Sequence, residues 1–157
     1  NLSKGSYRLR LSSLQHVIPP KGGEGSRTSL IENDLLLSIT GDVGMLGLIP
    51  KDFGEAYINQ HTCLIRWMEI LRNEFFPMQM LSNDIQVQLN APQRGVKNSF
   101  RLSDVSGVML ALPPLAEQAR IVARVTELRA LCQQLRNKLT KARQRDIPQL
   151  HSDGCAR

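Results

Sequence analysis

Hydrophobic positions change rhythm twice along this chain. Up to about residue 67 they come in short runs broken by Gly, Pro and charge. "YRLRLSSL" alternates enough to predict a short strand over Tyr7–Leu11, and "PPKGGEGSR" is a loop from Pro19 to Arg27. "DLLLSIT" (Asp34 to Thr40) is a continuous apolar run bounded by turn residues, the pattern of a buried strand. "MLGLIP" predicts a second strand, joined to the first by a tight turn through Gly41 and Gly44. The β-branched and aromatic stretch Tyr57 to Trp67 predicts a third. Helix formers then dominate, and with Pro77 and Ser82 as interruptions they predict two short helices over 70–80 and 83–90. A basic loop, "APQRGVKNS", precedes a single helical turn starting at Ser103 and a last strand near Val108 to Leu112. No segment repeats at a fixed period.

The second change of rhythm is sharper. Ile121, Val125, Leu128, Cys132, Leu135, Leu139 and Ala142 follow one another at alternating steps of four and three. That is a heptad seam, with Val125, Cys132 and Leu139 at one core position and the others at the second. Pro113 and Pro114 suit a helix start, and Glu117 suits its positive end. Lys141, Arg143 and Arg145 suit its negative end, and Pro148 ends the pattern. A helix of about 30 residues is about 45 Å long, too long for a domain of ordinary size to cover. It needs a second helix: its own copy, a missing half of the same chain, or another subunit.

Composition narrows the classes. The chain has 157 residues and a formal net charge of +6, a balance that favours nucleic acid first and an anionic membrane surface second. Aromatic residues make up only 4%, so Leu, Ile, Val and Met must build the core. No window approaches the roughly 18 apolar residues of a membrane span, and the polar, basic opening "NLSKGSYRLR" is no secretory signal. The expected location is the cytoplasm. The chain begins without Met and in mid-pattern, so a fragment or half-protein is expected. Cys63, Cys132 and Cys155 are odd in number and far apart, and His16, His61 and His151 have no ligand spacing. No disulfide framework, metal or cofactor is expected. Phosphate-loop, nucleophile-elbow and zinc-protease motifs are absent, and the glycines of "GDVGMLG" lack the order and following helix of a phosphate cradle.

Three basic or amide-rich stretches could meet DNA. Asn59, Gln60 and His61 are either base-edge readers or ordinary turn polarity. Arg94, Lys97, Asn98, Ser99 and Arg101 are either phosphate contacts with one or two base contacts, or a solvated loop. Lys4, Ser6, Arg8 and Arg10 read the same way. Along the terminal helix, Arg120, Arg124, Arg129, Arg136, Lys138, Lys141, Arg143 and Arg145 stand against only Glu117 and Glu127. A self-pairing coil would want a more even balance. The excess faces DNA or an acidic partner, or it is a solvated polar face.

The stretch "LALPPLAEQARIVARVTELRALCQQLRNKL" closely resembles the conserved region of the specificity (S) subunits of type I restriction-modification enzymes. There a strand leads into Pro-Pro-Leu-x-Glu-Gln and a long helix. The matching positions are Pro113, Pro114, Leu115, Glu117 and Gln118, then Ile121, Val122, Val125 and Leu128. "NDLLLSITGDVGMLGLIPKDFGEAYINQHTCLIR" resembles the family's target recognition domain, where a buried strand enters a Thr-Gly-x-x-Gly turn before an Asn-Gln element. "GVKNSFRLSDVSGVMLALPP" resembles the stretch leading to the helix. The likeness runs from about Asn1 to Lys141. A full S subunit has two recognition domains and two conserved helices; this chain has one of each. Phe100 stands where the family more often has Asn, and Met45 where Lys or Arg is frequent, so a phosphate contact is not expected at that position.

The resemblance implies an α+β chain, with a mixed-sheet recognition domain over 1–112 and a conserved coiled-coil helix with polar tail over 113–157. It implies a non-catalytic subunit that reads one half of a bipartite double-stranded DNA target. Modification (methyltransferase) and restriction subunits are its partners, and a second copy is a possible coil partner. Expected DNA contacts are Thr40, Gly41, Asn59, Gln60, His61, Lys97, Asn98, Ser99 and Arg101, with Lys4 and Arg8 behind them. The expected coil interface is Ile121, Val125, Leu128, Cys132, Leu135 and Leu139. The competing reading is a coiled-coil interaction module with no specific DNA binding.

Overall fold

The computed structural model describes residues 1–12, 16, 28–91 and 99–145. The expected loop over Pro19–Arg27 and most of the basic loop, Arg94, Lys97 and Asn98 included, lie outside the described residues. The chain divides into two compact units, Asn1–Pro113 and Pro114–Arg157.

The first unit is α+β. Its sheet has strands β1 (Leu35–Ser38), β2 (Leu46–Leu48) and β3 (Thr62–Ile65), in the order β2-β1-β3. All three pair antiparallel, Leu37 opposite Leu46 and Cys63, and Leu35 opposite Leu48 and Ile65. Among the described residues the parallel component is a single bridge, Arg8 to Leu48. β1 takes the centre because all four of its residues are apolar or satisfied and can be buried. Ser38 is the satisfied one: its hydroxyl donates to the Asp42 carbonyl (2.5 Å) and accepts from the Met45 amide (2.8 Å). The turn that follows needs Gly41 (φ +79°) and Gly44 (φ +80°), a backbone conformation costly for any residue with a Cβ.

At the other end of β1 the chain is fastened by a buried carboxylate. Asp34, 1% exposed, accepts from Arg66 Nε (2.8 Å), Arg66 Nη2 (2.7 Å) and the Ile31 amide (2.8 Å). Arg66 follows β3, so this pair clamps β1 and β3 at the end away from the glycine turn. The hydrogen bond to Asp34 holds the Arg66 guanidinium above its ordinary pKa.

Four expected elements differ. Tyr7–Leu11 forms no strand: Gly5 (φ +75°) reverses the chain, leaving isolated bridges at Ser3–Leu46 and Arg8–Leu48. The third strand is shorter than 57–67 because residues 59–62 form a turn. The expected helix over 70–80 is a 3-10 turn, Glu69–Leu71, followed by α1 (Phe75–Gln79). Asn73 Oδ1 takes the Phe75 amide (2.9 Å) and breaks the helical ladder between them. Val108–Leu112 is not a strand. Its backbone is held by glutamine side chains instead. Gln88 donates to the Met109 carbonyl (3.2 Å) and accepts from its amide (2.8 Å). Gln79, with its amide turned to match, donates to Ala111 (3.2 Å) and accepts from it (2.8 Å). Helix α2 (Asn83–Asn90) falls on 83–90, capped by Ser82, and α3 (Leu102–Ser106) falls on the expected turn. The core joins Leu35, Leu37 and Leu46 of the sheet with Phe76, Met80 and Leu89. Trp67 stacks on Phe76 at 4.8 Å.

The described part of the second unit is the helix α4 (Leu115–Arg145), of 31 residues and so about 46 Å. It contains no Gly or Pro. None of the helices among the described residues is long and apolar enough to cross a membrane.

Candidate nucleic-acid interface

Antiparallel pairing of β1 and β3 puts the residues after β1 beside those before β3. Ser38 faces Thr62, and the Ile39 amide donates to the His61 carbonyl (2.9 Å). Thr40 in turn bridges to Ser99, and the Phe100 amide donates to Ile39 (2.9 Å). One end of the sheet thus gathers Thr40, Gly41, Asn59, Gln60, His61 and Ser99, all exposed. Phe100 is buried behind them, which anchors Ser99 from within. Arg101 follows at the start of α3 and is exposed; its amide donates to Asp104 Oδ2 (2.9 Å), fixing the helix entry.

The turn before β3 is shaped by its own first residue. Asn59 Oδ1 accepts from the His61 amide (3.1 Å) and the Thr62 hydroxyl (3.2 Å). A two-pronged grip on adenine needs both atoms of the amide, so while this turn holds Asn59 positions its neighbours. Gln60 and His61 stand side by side, Nε2 to Nε2 at 3.5 Å, and carry the polar groups outward. Lys4 and Arg8 are exposed on the segment paired to β2. Lys4 follows Ser3, which bridges to Leu46 near the gathered end; Arg8 bridges to Leu48, at the far end of that strand. Arg10 is tied locally, its guanidinium donating to the Leu2 carbonyl (3.2 and 2.8 Å). Lys97 and Asn98 lie outside the described residues.

Beneath the gathered end lies a cleft of about 640 Å³, with Leu36 and Ile49 in its lining and Thr40, Asn59 and His61 among its polar groups. Tyr57 also lines it and escaped the sequence reading. Its phenol donates to the Glu55 carboxylate, which raises the phenol pKa. Nothing in "EAY" marks that pairing beforehand, because any exposed carboxylate two residues away would look the same. Among the described residues no three His, Cys, Asp or Glu side chains converge as a metal site would require. The arrangement suits hydrogen bonding and phosphate contact.

On α4 the seam residues share one face. Ile121 and Val125 are half-buried, whereas Leu128, Cys132, Leu135 and Leu139 are exposed. Glu117 pairs with Arg120 (2.6 Å) and Glu127 with Arg124 (2.6 Å). The hydrogen bond from Arg120 holds the Glu117 carboxyl below the usual range.

Comparison with known proteins gives these features a family. Residues 23–142 match the type I restriction modification DNA specificity domain. The chain is also similar to the type I restriction enzyme EcoBI specificity subunit of Escherichia coli, 24% identical over 117 residues. That alignment takes in 74% of this chain and 25% of the relative, so the chain spans about a quarter of the relative's length. With a match covering the sheet, the gathered polar end and nearly all of the long helix, this chain belongs to the type I restriction modification DNA specificity domain family.

Proposed function

We propose that this chain reads one half of a bipartite double-stranded DNA target, as the specificity subunit or half-subunit of a type I restriction-modification system in the cytoplasm. It is non-catalytic. Methylation and cleavage belong to modification and restriction subunits that it positions, and α4 sets the distance to a second recognition domain. A rigid helix acts as a ruler because half-site spacing follows protein geometry.

One observation carries this reading: antiparallel pairing brings Thr40, Gly41, the 59–61 turn and Ser99 to the same sheet end. Gln60, His61, Asn98 and Thr40 read base edges; Asn59 shapes the turn and Gly41 lets the backbone approach. Ser99 and the cations Lys4, Arg8, Lys97 and Arg101 hold phosphates. Four neutralised phosphates give a log–log salt slope of about −3.6, so affinity falls about 150-fold between 50 and 200 mM salt.

The test combines a duplex-binding titration at those two salt concentrations with co-expression alongside candidate modification subunits and mapping of methylated adenines. A salt-dependent affinity and one recurrent methylated motif are expected, and Lys97→Ala should flatten the slope by about one. Salt-independent or absent duplex binding would sink this reading and favour a coiled-coil interaction module.

A further inference from the structure

Residues 108–112 are the way out of the recognition unit, and their apolar side chains do little to hold them there. Met109 is 78% exposed and Leu112 66%. Among the described residues no strand pairs with this segment. Two glutamines hold it instead. Gln88 exchanges both bonds with the Met109 backbone (3.2 and 2.8 Å), and Gln79 does the same with Ala111 (3.2 and 2.8 Å). Met109 and Ala111 are two residues apart, the spacing of alternate rungs along one edge of a strand. A side-chain amide carries the donor and the acceptor of a peptide, so each glutamine stands in for one residue of an absent neighbouring strand.

Both glutamines stand on helices rooted in the core. α1 buries Phe75, Phe76, Pro77 and Met78, and α2 buries Ile85 and Leu89. Beyond Ala111 the chain has no slack. Leu112 and Pro113 each precede a proline, which confines them to extended conformations, and each proline fixes its own φ. The Pro114 carbonyl accepts from the Glu117 and Gln118 amides (2.9 and 3.0 Å), so α4 begins at once. With no Gly or Pro inside α4, a shift of residues 109 and 111 is carried into the helix rather than absorbed before it.

A rod fixes a distance only if its end is fixed. One residue of extended chain advances about 3.3 Å, and one base-pair step about 3.4 Å. Sliding the exit segment by one residue therefore changes the reach of α4 by about one base pair.

We propose that Gln79 and Gln88 are positioning residues for target spacing. Their side chains hold residues 109 and 111 in register and so keep the gap between the two half-sites to one length. This rests on the reading above, in which α4 sets the distance to a second recognition domain. Whether that domain belongs to a second copy or to the same longer polypeptide, the clamp acts on this half in the same way.

The test uses the full chain with Q79M/Q88M, which keeps side-chain volume and removes all four bonds, and with P113G/P114G, which leaves the clamp and softens the connector. Each is co-expressed with candidate modification subunits. Methylated adenines are mapped for the bases of each half-site and for the gap between them. The wild type should show one gap. Both variants should keep the half-site bases and raise methylation at gaps one base pair longer or shorter by at least about tenfold, since a single such hydrogen bond favours the held state about fivefold. Trp67 fluorescence in urea follows the fold of the recognition unit separately. If the double variant unfolds, Q88M alone, whose bonds are solvent-exposed, carries the same expectation. A gap as sharp as wild type in a folded glutamine variant or in P113G/P114G would overturn the proposal and leave the DNA reading standing. So would altered half-site bases, or a folded glutamine variant that methylates nothing. A wild type with no two-part methylated motif would sink the DNA reading itself, and this proposal with it.

Discussion

Replacing Arg66 by Met should destabilise the recognition unit by about 3 kcal/mol. Asp34 is 1% exposed and takes two hydrogen bonds from the guanidinium, at 2.8 and 2.7 Å. Leaving a buried charge without its partner costs about 3–5 kcal/mol. Two features place the value at the low end. Asp34 keeps the Ile31 amide at 2.8 Å, and the Arg66 side chain is itself 42% exposed, so water can take part of its place. Trp67 is the only tryptophan; it follows Arg66 in sequence and stacks on Phe76 at 4.8 Å, so its fluorescence reports loss of this core. With a urea slope of about 1.5 kcal/mol/M for a unit of this size, the midpoint should drop by about 2 M. Adding Asp34→Asn to Arg66→Met should recover part of the loss, because no buried charge is then left unpaired. A midpoint shift below about 0.5 M in the single variant would show that the pair is no more than a surface contact, and the account of how β1 and β3 are clamped would fail.

Gly41→Ala meets no atom within 4 Å of the new Cβ, so its cost is backbone strain at φ +79°, about 1 kcal/mol; a thermal melt identical to wild type would contradict that. Gly47→Ala places a Cβ 2.4 Å from Leu9 Cδ2 and 2.6 Å from Leu2 Cδ2, so both leucine side chains must turn aside and the 1–10 segment should pack less tightly on β2. Faster hydrogen exchange at the Ser3 and Leu48 amides would register this, and unchanged protection would refute it. In a Cys155→Ser background, exposed Cys132 should react with a disulfide reagent well before buried Cys63. Burial raises the Cys63 thiol pKa, so unfolded chains lose that proton first as pH rises. Stability should therefore fall as pH rises past the ordinary thiol range, and the fall should be smaller in Cys63→Ala, the remainder belonging to groups such as the Tyr57 phenol. Equal labelling rates at the two thiols would show that the sheet is not closed over Cys63.

Strands β1 and β2, the glycine turn between them and α2 were legible because each is written in adjacent residues. An apolar run, two glycines, and Ser82 before a helical stretch need no distant partner to be understood. The gathered polar end was legible only as fragments. "TG" after one strand and "NQH" before another show nothing by themselves about proximity. They meet because Leu37 pairs with both Leu46 and Cys63, which makes β1 central. Asn59 shows the same limit: the order "NQH" does not tell that its Oδ1 accepts from the His61 amide and the Thr62 hydroxyl and so shapes the turn.

What the chain determines from its sequence alone is everything with a local period. The seven-residue rhythm and the absence of Gly and Pro specify α4 and the face that needs a partner, because helix geometry repeats on that scale. The tertiary structure decided what depends on distant groups satisfying one another. Asp34 finds Arg66 32 residues away, and Gln88 finds Met109 21 residues away, where side-chain amides replace the strand that an apolar run had promised. A buried polar group must be satisfied by whatever the fold brings near it, and neighbours in sequence do not record which group that will be.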